Sequence, residues 1–285
     1  VRGNSPLTPY PSPLTSSRSP FTVHLLVFRP MPTRLRTTLA SIWTWTLLAM
    51  ALVVTLPCVL LYRGVAWPWD RWNYRGGRWF RNIGPFVAAI TPRWRFEARG
   101  PIPADPRHPY VVVSNHESFA DMLLLTHLPW EMKWLSKVEI FRIPFLGWLL
   151  WAAMDIGVKR GRGTSAKDAM NECKRRLRDK VSVMIFPEGT RSPDTEMLPF
   201  KDGAFRLAVE AGVPILPLAL YGTRDAIAKH DWRIGRAHAI VEVLAPEPTD
   251  GLTLADVPAL RERVRSRIQD ARNTLRDELR REGSS

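Results

Sequence analysis

The sequence predicts an α/β fold, with a largely parallel sheet flanked by helices, behind an N-terminal helical segment that anchors the chain in a membrane. Short apolar runs rich in β-branched residues, such as 110–113 and 181–186, alternate with segments of helical periodicity. That order is typical of a parallel sheet with helical crossovers. Residues 37–62 carry no charged side chain, and the run exceeds the ~20 residues that cross a bilayer.

The expected strands follow one another along most of the chain. They are residues 94–98, 110–114, 132–136, 154–158, 181–186, 215–221 and 237–244. Between several of them lie helical patterns, including one over 204–211 that Gly212 ends. A last amphipathic helix is predicted from the stripe formed by Leu260, Val264, Ile268, Ala271, Leu275 and Leu279.

The domain organisation predicted from these patterns has three parts. Residues 1–36 form a disordered basic segment, in which 1–30 contain no acidic residue. Met31 precedes the apolar run in the manner of an ordinary start, so a native tail and a non-native extension are competing interpretations of residues 1–30. Residues 37–92 form a membrane helix and an interfacial helix, and residues 93–285 form the α/β domain with its C-terminal amphipathic helix.

Composition points to a membrane rather than to nucleic acid. The chain has 285 residues, a formal net charge of +14 and 12 tryptophans. A basic protein is drawn to polyanions, and tryptophan settles at the level of lipid headgroups. Residues 63–81 interleave tryptophans with five arginines and one acid, Asp70, and the apolar run 83–90 that follows is too short to span a bilayer. The two stretches together favour a helix on the bilayer surface. A nucleic-acid groove would mix the same residue types, but we expect no nucleic-acid partner beside a membrane helix.

The membrane helix and the cysteines predict the location. A secretory signal peptide is the competing interpretation of residues 37–62, but the run is longer than the ~7 to 15 residues of its apolar core. Cys58 and Cys173 give no disulfide framework, which suits a reducing compartment. We therefore expect an inner (cytoplasmic) membrane protein whose catalytic domain faces the cytoplasm.

The candidate catalytic residues lie in the octet Ser-Asn-His-Glu-Ser-Phe-Ala-Asp at 114–121. His116 follows a predicted buried strand, at the open end of the sheet where α/β folds bind ligands. Asp121 can hold one ring nitrogen of His116 and leave the other as a base. No Gly-x-Ser-x-Gly nucleophile motif is present, and Ala120 stands where a zinc-binding helix would carry its second histidine. A histidine that merely caps a helix beside an acid is the alternative.

Four segments together resemble the glycerophospholipid acyltransferase family, of the type that acylates lysophosphatidic acid in bacteria. They are Asn-His-x-x-x-x-Asp at 115–121, Gly-Val-Lys-Arg at 157–160, Phe-Pro-Glu-Gly-Thr-Arg-Ser at 186–192 and Val-Pro-Ile-Leu-Pro at 213–217. The segment 200–205 resembles the one that usually follows the third block. The resemblance implies acyl transfer from a thioester to an alcohol, with His116 as base and Asp121 orienting it.

Phosphate chemistry selects further candidates. An arginine matches phosphate oxygens with its planar fork, so Arg191 is the first choice, and the resemblance indicates the same residue. Gly189 allows a ligand close to the backbone, Thr190 lies between them, and Glu188 would accept a glycerol hydroxyl or position Arg191. The resemblance implies Arg160 as a second phosphate ligand, and an ordinary surface charge is the alternative. Lys137 is a weaker candidate, since a lone lysine usually faces solvent.

The expected function is therefore acylation of 1-acyl-glycerol-3-phosphate to phosphatidic acid at a phospholipid bilayer. No metal or cofactor is expected, and acyl-CoA or acyl carrier protein would be the co-substrate. Asp202 stands where the family commonly has a second lysine, so another lysolipid, such as a lyso-ornithine lipid, is an alternative acceptor. A non-catalytic basic protein tethered to a membrane is the alternative from another class.

Overall fold

A seven-stranded sheet forms the centre of the molecule. The computed structural model describes residues 33–159, 163–228 and 231–283. The strands are β1 (Trp94–Arg99), β2 (Val111–Ser114), β3 (Met132–Lys137), β4 (Ile156–Val158), β5 (Ser182–Ile185), β6 (Ile215–Tyr221) and β7 (Ala237–Val243). Their spatial order is β1-β7-β6-β2-β5-β3-β4, and every neighbouring pair is parallel except β6 with β7. The expected α/β class and its strands are confirmed.

Eight α-helices accompany this sheet within the described part of the chain. They are α1 (Thr33–Ala66), α2 (Tyr74–Arg81), α3 (Ile83–Ala89), α4 (Asp121–Leu125), α5 (Leu146–Ala152), α6 (Gly163–Arg178), α7 (Gly203–Ala211) and α8 (Val257–Gly283). The predicted C-terminal amphipathic helix corresponds to α8. The N-terminal residues 1–32, for which the sequence predicts disorder, lie outside the described residues.

Both faces of the central strand β2 are covered, which explains its unbroken apolar sequence. Val111 and Val113 point to one side and pack in the cluster that contains residues of α6, α7 and α8. Val112 points to the other side and packs with Leu124 of α4 and Leu216 of β6. The alternation follows from the two-residue period of a strand. The carboxyl end of β2 is therefore held firmly from both sides.

The long helix α1 has an apolar surface and a docked surface. Residues Arg34–Ala66 are long and apolar enough to cross a membrane, by length and composition. Its large exposed side chains include Ile42, Trp43, Met50, Val54, Leu61 and Val65. On the other side the Ser41 hydroxyl accepts a hydrogen bond from the Ile234 amide, and Leu56 and Val59 are buried. This helix is a packed part of the structure as well as a membrane-spanning candidate.

The interfacial segment differs from the single helix expected over the two stretches 63–81 and 83–90. Helix α1 continues to Ala66, and a turn then leads into α2 at Tyr74. Asp70, the one acid of the segment, explains the new start: its carboxylate accepts hydrogen bonds from the amides of Tyr74 (2.7 Å) and Arg75 (3.0 Å). Those amides would have no partner inside the helix. The acid among five arginines is thus a helix cap.

Helix α2 is joined to the sheet by a buried cluster of charges. Arg81 pairs with Asp155 at 2.6 Å, and Lys133 pairs with Glu131 at 2.9 Å. The four side chains are at most 5% exposed. Gly77 of α2 packs directly on them, since a Cβ there would lie 2.3 Å from a Glu131 carboxylate oxygen. The pairs compensate one another's burial and fix α2 against β3.

Candidate functional site

The octet at 114–121 leaves the sheet at the carboxyl end of β2, as expected. The side chain of Asn115 extends the hydrogen bonding between β2 and β6. It donates to the carbonyl of Leu220 and accepts from the amide of Leu220, both at 2.9 Å. This pair of hydrogen bonds fixes the residue that precedes His116. The histidine consequently enters the site from a rigid strand end.

His116 and Asp121 form a hydrogen-bonded pair at the start of α4. Asp121 Oδ2 lies 2.7 Å from His116 Nδ1 and also accepts from the amides of Glu117 (2.8 Å) and Ser118 (3.1 Å). Its Oδ1 accepts from the hydroxyl of Thr223. Four donors thus fix a wholly buried carboxylate, and a histidine that donates from Nδ1 keeps its lone pair on Nε2.

A second loop, after β5, holds the backbone of His116 on both sides. Glu188 accepts hydrogen bonds from the amides of His116 (2.8 Å) and Leu198 (3.1 Å), and the Ser192 amide donates to the His116 carbonyl (3.0 Å). Burial raises the pKa of the Glu188 carboxyl above its ordinary value. The ring of His116 stacks on that of Phe186, with centroids 4.1 Å apart. The two motif segments therefore form one unit.

An apolar cavity of about 720 Å³ opens beside His116. Its wall includes Leu48 and Leu52 of α1, Leu146 and Leu150 from α5, and Met170 of α6. The space is of the size that takes a drug-sized or lipid-like ligand. One wall of this cavity is therefore supplied by the long apolar helix.

Besides Arg81, which is paired with Asp155, three cationic side chains line the same cavity: Lys137, Arg191 and Lys201. Across the described residues none of the three forms an ion pair with an acid. Gly189 has φ +74°, and a Cβ on it would lie 2.8 Å from Lys201 Nζ. The glycine thus keeps room beside the lysine. A cavity whose lining combines unpaired cations with many apolar side chains suits an amphiphilic anion.

Most of the predicted site residues meet at this cavity. His116, Gly189, Thr190, Arg191 and Lys137 line it. Arg160 lies outside the described residues, so its expected phosphate contact stays a prediction. Glu188 is 3% exposed and both of its oxygens accept from backbone amides, which favours the positioning role over the other expected role, contact with a glycerol hydroxyl.

Sequence reasoning missed two residues of the site. Lys201 lies in the segment 200–205, which resembles the family, but the sequence alone predicts no role for this lysine. Thr223, the hydrogen-bond partner of Asp121, follows β6 and belongs to no recognised motif. Asp202 is paired with Arg261 at 2.6 Å. Although Asp202 stands where the family commonly has a lysine, its carboxylate is therefore not part of the cavity lining.

The two serines of the octet are not placed as nucleophiles. Ser114 is fully buried, and the Ser118 hydroxyl donates to the carbonyl of Ile227 at 2.9 Å. Among the described residues no group of three or more His, Cys, Asp or Glu side chains is arranged to hold a metal. The arrangement can remove a proton from a hydroxyl placed at His116 Nε2 and hold an anionic group nearby.

Comparisons with known proteins give the family of the chain. The family model described as acyltransferase matches residues 95–221. Human 1-acyl-sn-glycerol-3-phosphate acyltransferase alpha is 43% identical over 173 residues, which is 60% of this chain and 61% of the relative. The human beta enzyme is 37% identical over 193 residues, covering 65% of this chain and 69% of that one. This chain thus spans about three fifths of the length of the alpha relatives it matches.

A solved structure shows the same fold. The 1-acyl-sn-glycerophosphate (LPA) acyltransferase from Thermotoga maritima matches with a TM-score of 0.72 at 24% identity, over 85% of this chain and 97% of that one. Fold and site together define an α/β protein with a histidine–aspartate pair beside a lipid-sized cavity. The match to the human beta enzyme covers 69% of that protein at 37% identity. The chain therefore belongs to the acyltransferase family that includes the 1-acyl-sn-glycerol-3-phosphate acyltransferases.

Proposed function

We propose that this protein transfers a fatty acyl group from a thioester to the free hydroxyl of 1-acyl-glycerol-3-phosphate, which yields phosphatidic acid. One observation carries the proposal. His116, hydrogen-bonded to Asp121, lines a cavity whose lining combines apolar side chains with unpaired cations. An acyl chain and a phosphate are the two halves of such a ligand.

His116 is the proposed general base. Its Nε2 takes the proton of the acceptor hydroxyl while the oxygen attacks the thioester carbonyl. The tetrahedral intermediate then breaks its bond to sulfur, and the leaving thiolate takes the proton back from the imidazolium. Asp121 keeps Nδ1 as the donor and stabilises the imidazolium that forms. No covalent enzyme intermediate is part of this sequence of steps.

The acceptor phosphate is proposed to bind Arg191, with Lys201 and Lys137 as further cations on the same cavity. Arg191 supplies a planar fork for two phosphate oxygens, whereas each lysine supplies a point charge. Glu188 is assigned a positioning role in place of substrate contact, because its oxygens are occupied by backbone amides of both loops.

The thioester donor is acyl-CoA or acyl carrier protein, and both deliver the same reacting group. The apolar part of the cavity, between α1, α5 and α6, is proposed to hold an acyl chain. The exposed apolar side chains of α1 would lie in the phospholipid bilayer from which the acceptor comes.

The α/β unit is proposed to face the cytoplasm at the inner membrane. The support is the arginine-rich segment that follows α1, since basic residues favour the cytoplasmic side. Added protease should therefore leave the C-terminal region intact in sealed, right-side-out spheroplasts and digest it in inverted vesicles. If the C-terminal region is digested in the spheroplasts and not in the inverted vesicles, the α/β unit faces the opposite side of the membrane.

The function is tested with purified protein, labelled acyl-CoA and acyl carrier protein, and a panel of acceptors. The panel contains lysophosphatidic acid, lysophosphatidylcholine and lyso-ornithine lipid. We expect phosphatidic acid as the main product. If the lyso-ornithine lipid is acylated preferentially, the proposed acceptor is wrong while the proposed acyl transfer still holds. If neither donor acylates any acceptor, the proposal is contradicted.

A further inference from the structure

A buried ion pair joins the C-terminal helix to the residue next to His116. Arg272 of α8 donates from Nε to a carboxylate oxygen of Glu117 at 2.9 Å. The side chains are 3% and 5% exposed, and 155 residues separate them in the sequence. Such a pair is costly to break, because removal of one partner leaves a buried charge without compensation.

Arg272 also holds the second loop of the site. Its Nη2 donates to the carbonyl of Thr195, and its guanidinium lies 5.3 Å from the ring centre of Tyr221. One guanidinium therefore contacts the His116 segment through Glu117 and the loop that follows Arg191 through Thr195. A planar fork with several fixed donors can bridge two segments in this way.

Glu117 has little support besides Arg272. Burial raises the pKa of its carboxyl to about 7, and the nearby charge of Arg272 opposes that rise. The Glu117 amide donates to Asp121, so a displaced Glu117 would move the backbone that holds the catalytic pair. An error of about 1 Å in the position of a reacting group can lower a rate roughly a hundredfold.

We propose that Arg272 is a positioning residue for His116, and that α8 is consequently a functional part of the site. The inference rests on the proposed acyl transfer and goes beyond it, because Arg272 lies outside the residues matched by the family model, 95–221. The C-terminal helix α8 therefore completes a site whose His116–Asp121 pair and Arg191 lie in the segments that follow β2 and β5.

The test uses the full chain in detergent and four variants: Arg272→Gln, Glu117→Gln, the double variant of both, and Arg276→Gln as the control. Arg276 lies one turn further along α8 and pairs with Asp277 on the same helix. Each variant is assayed for kcat and KM with lysophosphatidic acid. The rate at which diethyl pyrocarbonate modifies His116 is followed by mass spectrometry of the peptide that contains it.

We expect Arg272→Gln to lower kcat by roughly tenfold to a hundredfold with KM within about threefold, and to change the His116 modification rate. The double variant should regain part of kcat, because two amides leave no unpaired buried charge. Arg276→Gln should match the wild type in both measurements.

The proposal is overturned if folded Arg272→Gln keeps kcat and His116 reactivity within about twofold of wild type. It is also overturned if the double variant regains thermal stability without kcat. If Arg272→Gln does not fold, kcat and the His116 modification rate are measured instead in Glu117→Gln and in Arg272→Lys, and the same criterion applies. If the wild type shows no acyl transfer, the proposed function is contradicted but the positioning role of Arg272 is not. The rate of His116 modification still tests whether Arg272 positions His116.

Discussion

His116 Nδ1 lies 2.7 Å from Asp121 Oδ2, and the same oxygen accepts two backbone amides from the turn between them. The five-residue spacing places Asp121 in the first turn of α4 and His116 before that turn. A carboxylate in this position both orients the ring and closes the turn. The pair is therefore a local structure that does not depend on a bound substrate.

The first prediction concerns this pair. His116→Ala should lower kcat by about 10² to 10⁴, which is the usual contribution of a general base. Asp121→Asn should lower kcat nearly as much. The side-chain nitrogen of the asparagine, if turned toward Glu117 or Ser118, would face a backbone N–H, and two donors cannot form a hydrogen bond. Steady-state acyl transfer measures both, with His108→Gln as the surface control. Activity of His116→Ala within a few-fold of wild type would exclude the mechanism.

Direct transfer predicts that no acyl-enzyme accumulates. Ser114 is fully buried, and the Ser118 hydroxyl is committed to the carbonyl of Ile227. Incubation with labelled acyl donor alone should leave the intact protein unlabelled by mass spectrometry. Stoichiometric label that disappears in Ser114→Ala or Ser118→Ala would overturn direct transfer.

Arg191 should distinguish acceptors by their phosphate. Loss of a charge-assisted contact with two hydrogen bonds should cost roughly 1.5 to 3 kcal/mol in Arg191→Ala. Arg191→Lys should recover only part of this, since a point charge cannot replace the fork. The loss should fall mainly on KM for lysophosphatidic acid. An equal loss with lysophosphatidylcholine would mean that Arg191 supports the loop and does not contact the phosphate.

The cavity predicts a change in chain-length preference. Leu52 of α1 lines the cavity, whereas Leu61 on the same helix is 71% exposed. Leu52→Trp should shift the preferred acyl chain to a shorter one by filling part of the space, and Leu61→Trp should not. Competition between donors of different length in one reaction measures the shift. Equal preference in both variants and the wild type would place the chain elsewhere.

Gly77 should tolerate no side chain. A Cβ there would lie 2.3 Å from a Glu131 oxygen and 2.8 Å from Lys133 Nζ, and both partners are fully buried. Gly77→Ala should therefore destabilise the protein by about 1 to 3 kcal/mol. Gly64→Ala is the matched control, because nothing lies within 4 Å of its Cβ position, and it should stabilise α1 by up to about 1 kcal/mol. Thermal unfolding in detergent compares the two.

The sequence predicted those features that depend on neighbouring residues. The strands follow from short apolar runs, and the His116–Asp121 pair follows from a five-residue spacing at a strand end. Arg272 and Thr223 were not predicted, because their partners lie 155 and 102 residues away and a single sequence does not show which distant elements meet. For Glu188 the sequence left two roles open, contact with a glycerol hydroxyl and positioning of Arg191, for a similar reason: its charge was visible, but the two amides that occupy it were not.

Two kinds of leucine stand on α1. Leu60 and Leu61 point outward, where one apolar side chain serves as well as another, while Leu48 and Leu52 shape the space beside His116. Deleting the helix to obtain a water-soluble enzyme would therefore remove a wall of the binding space along with the tether. In the proposed function, a shortened chain that begins after Ala66 would expose the bound acyl chain to water. On that proposal, removing the membrane anchor and removing part of the acyl-chain site are the same change.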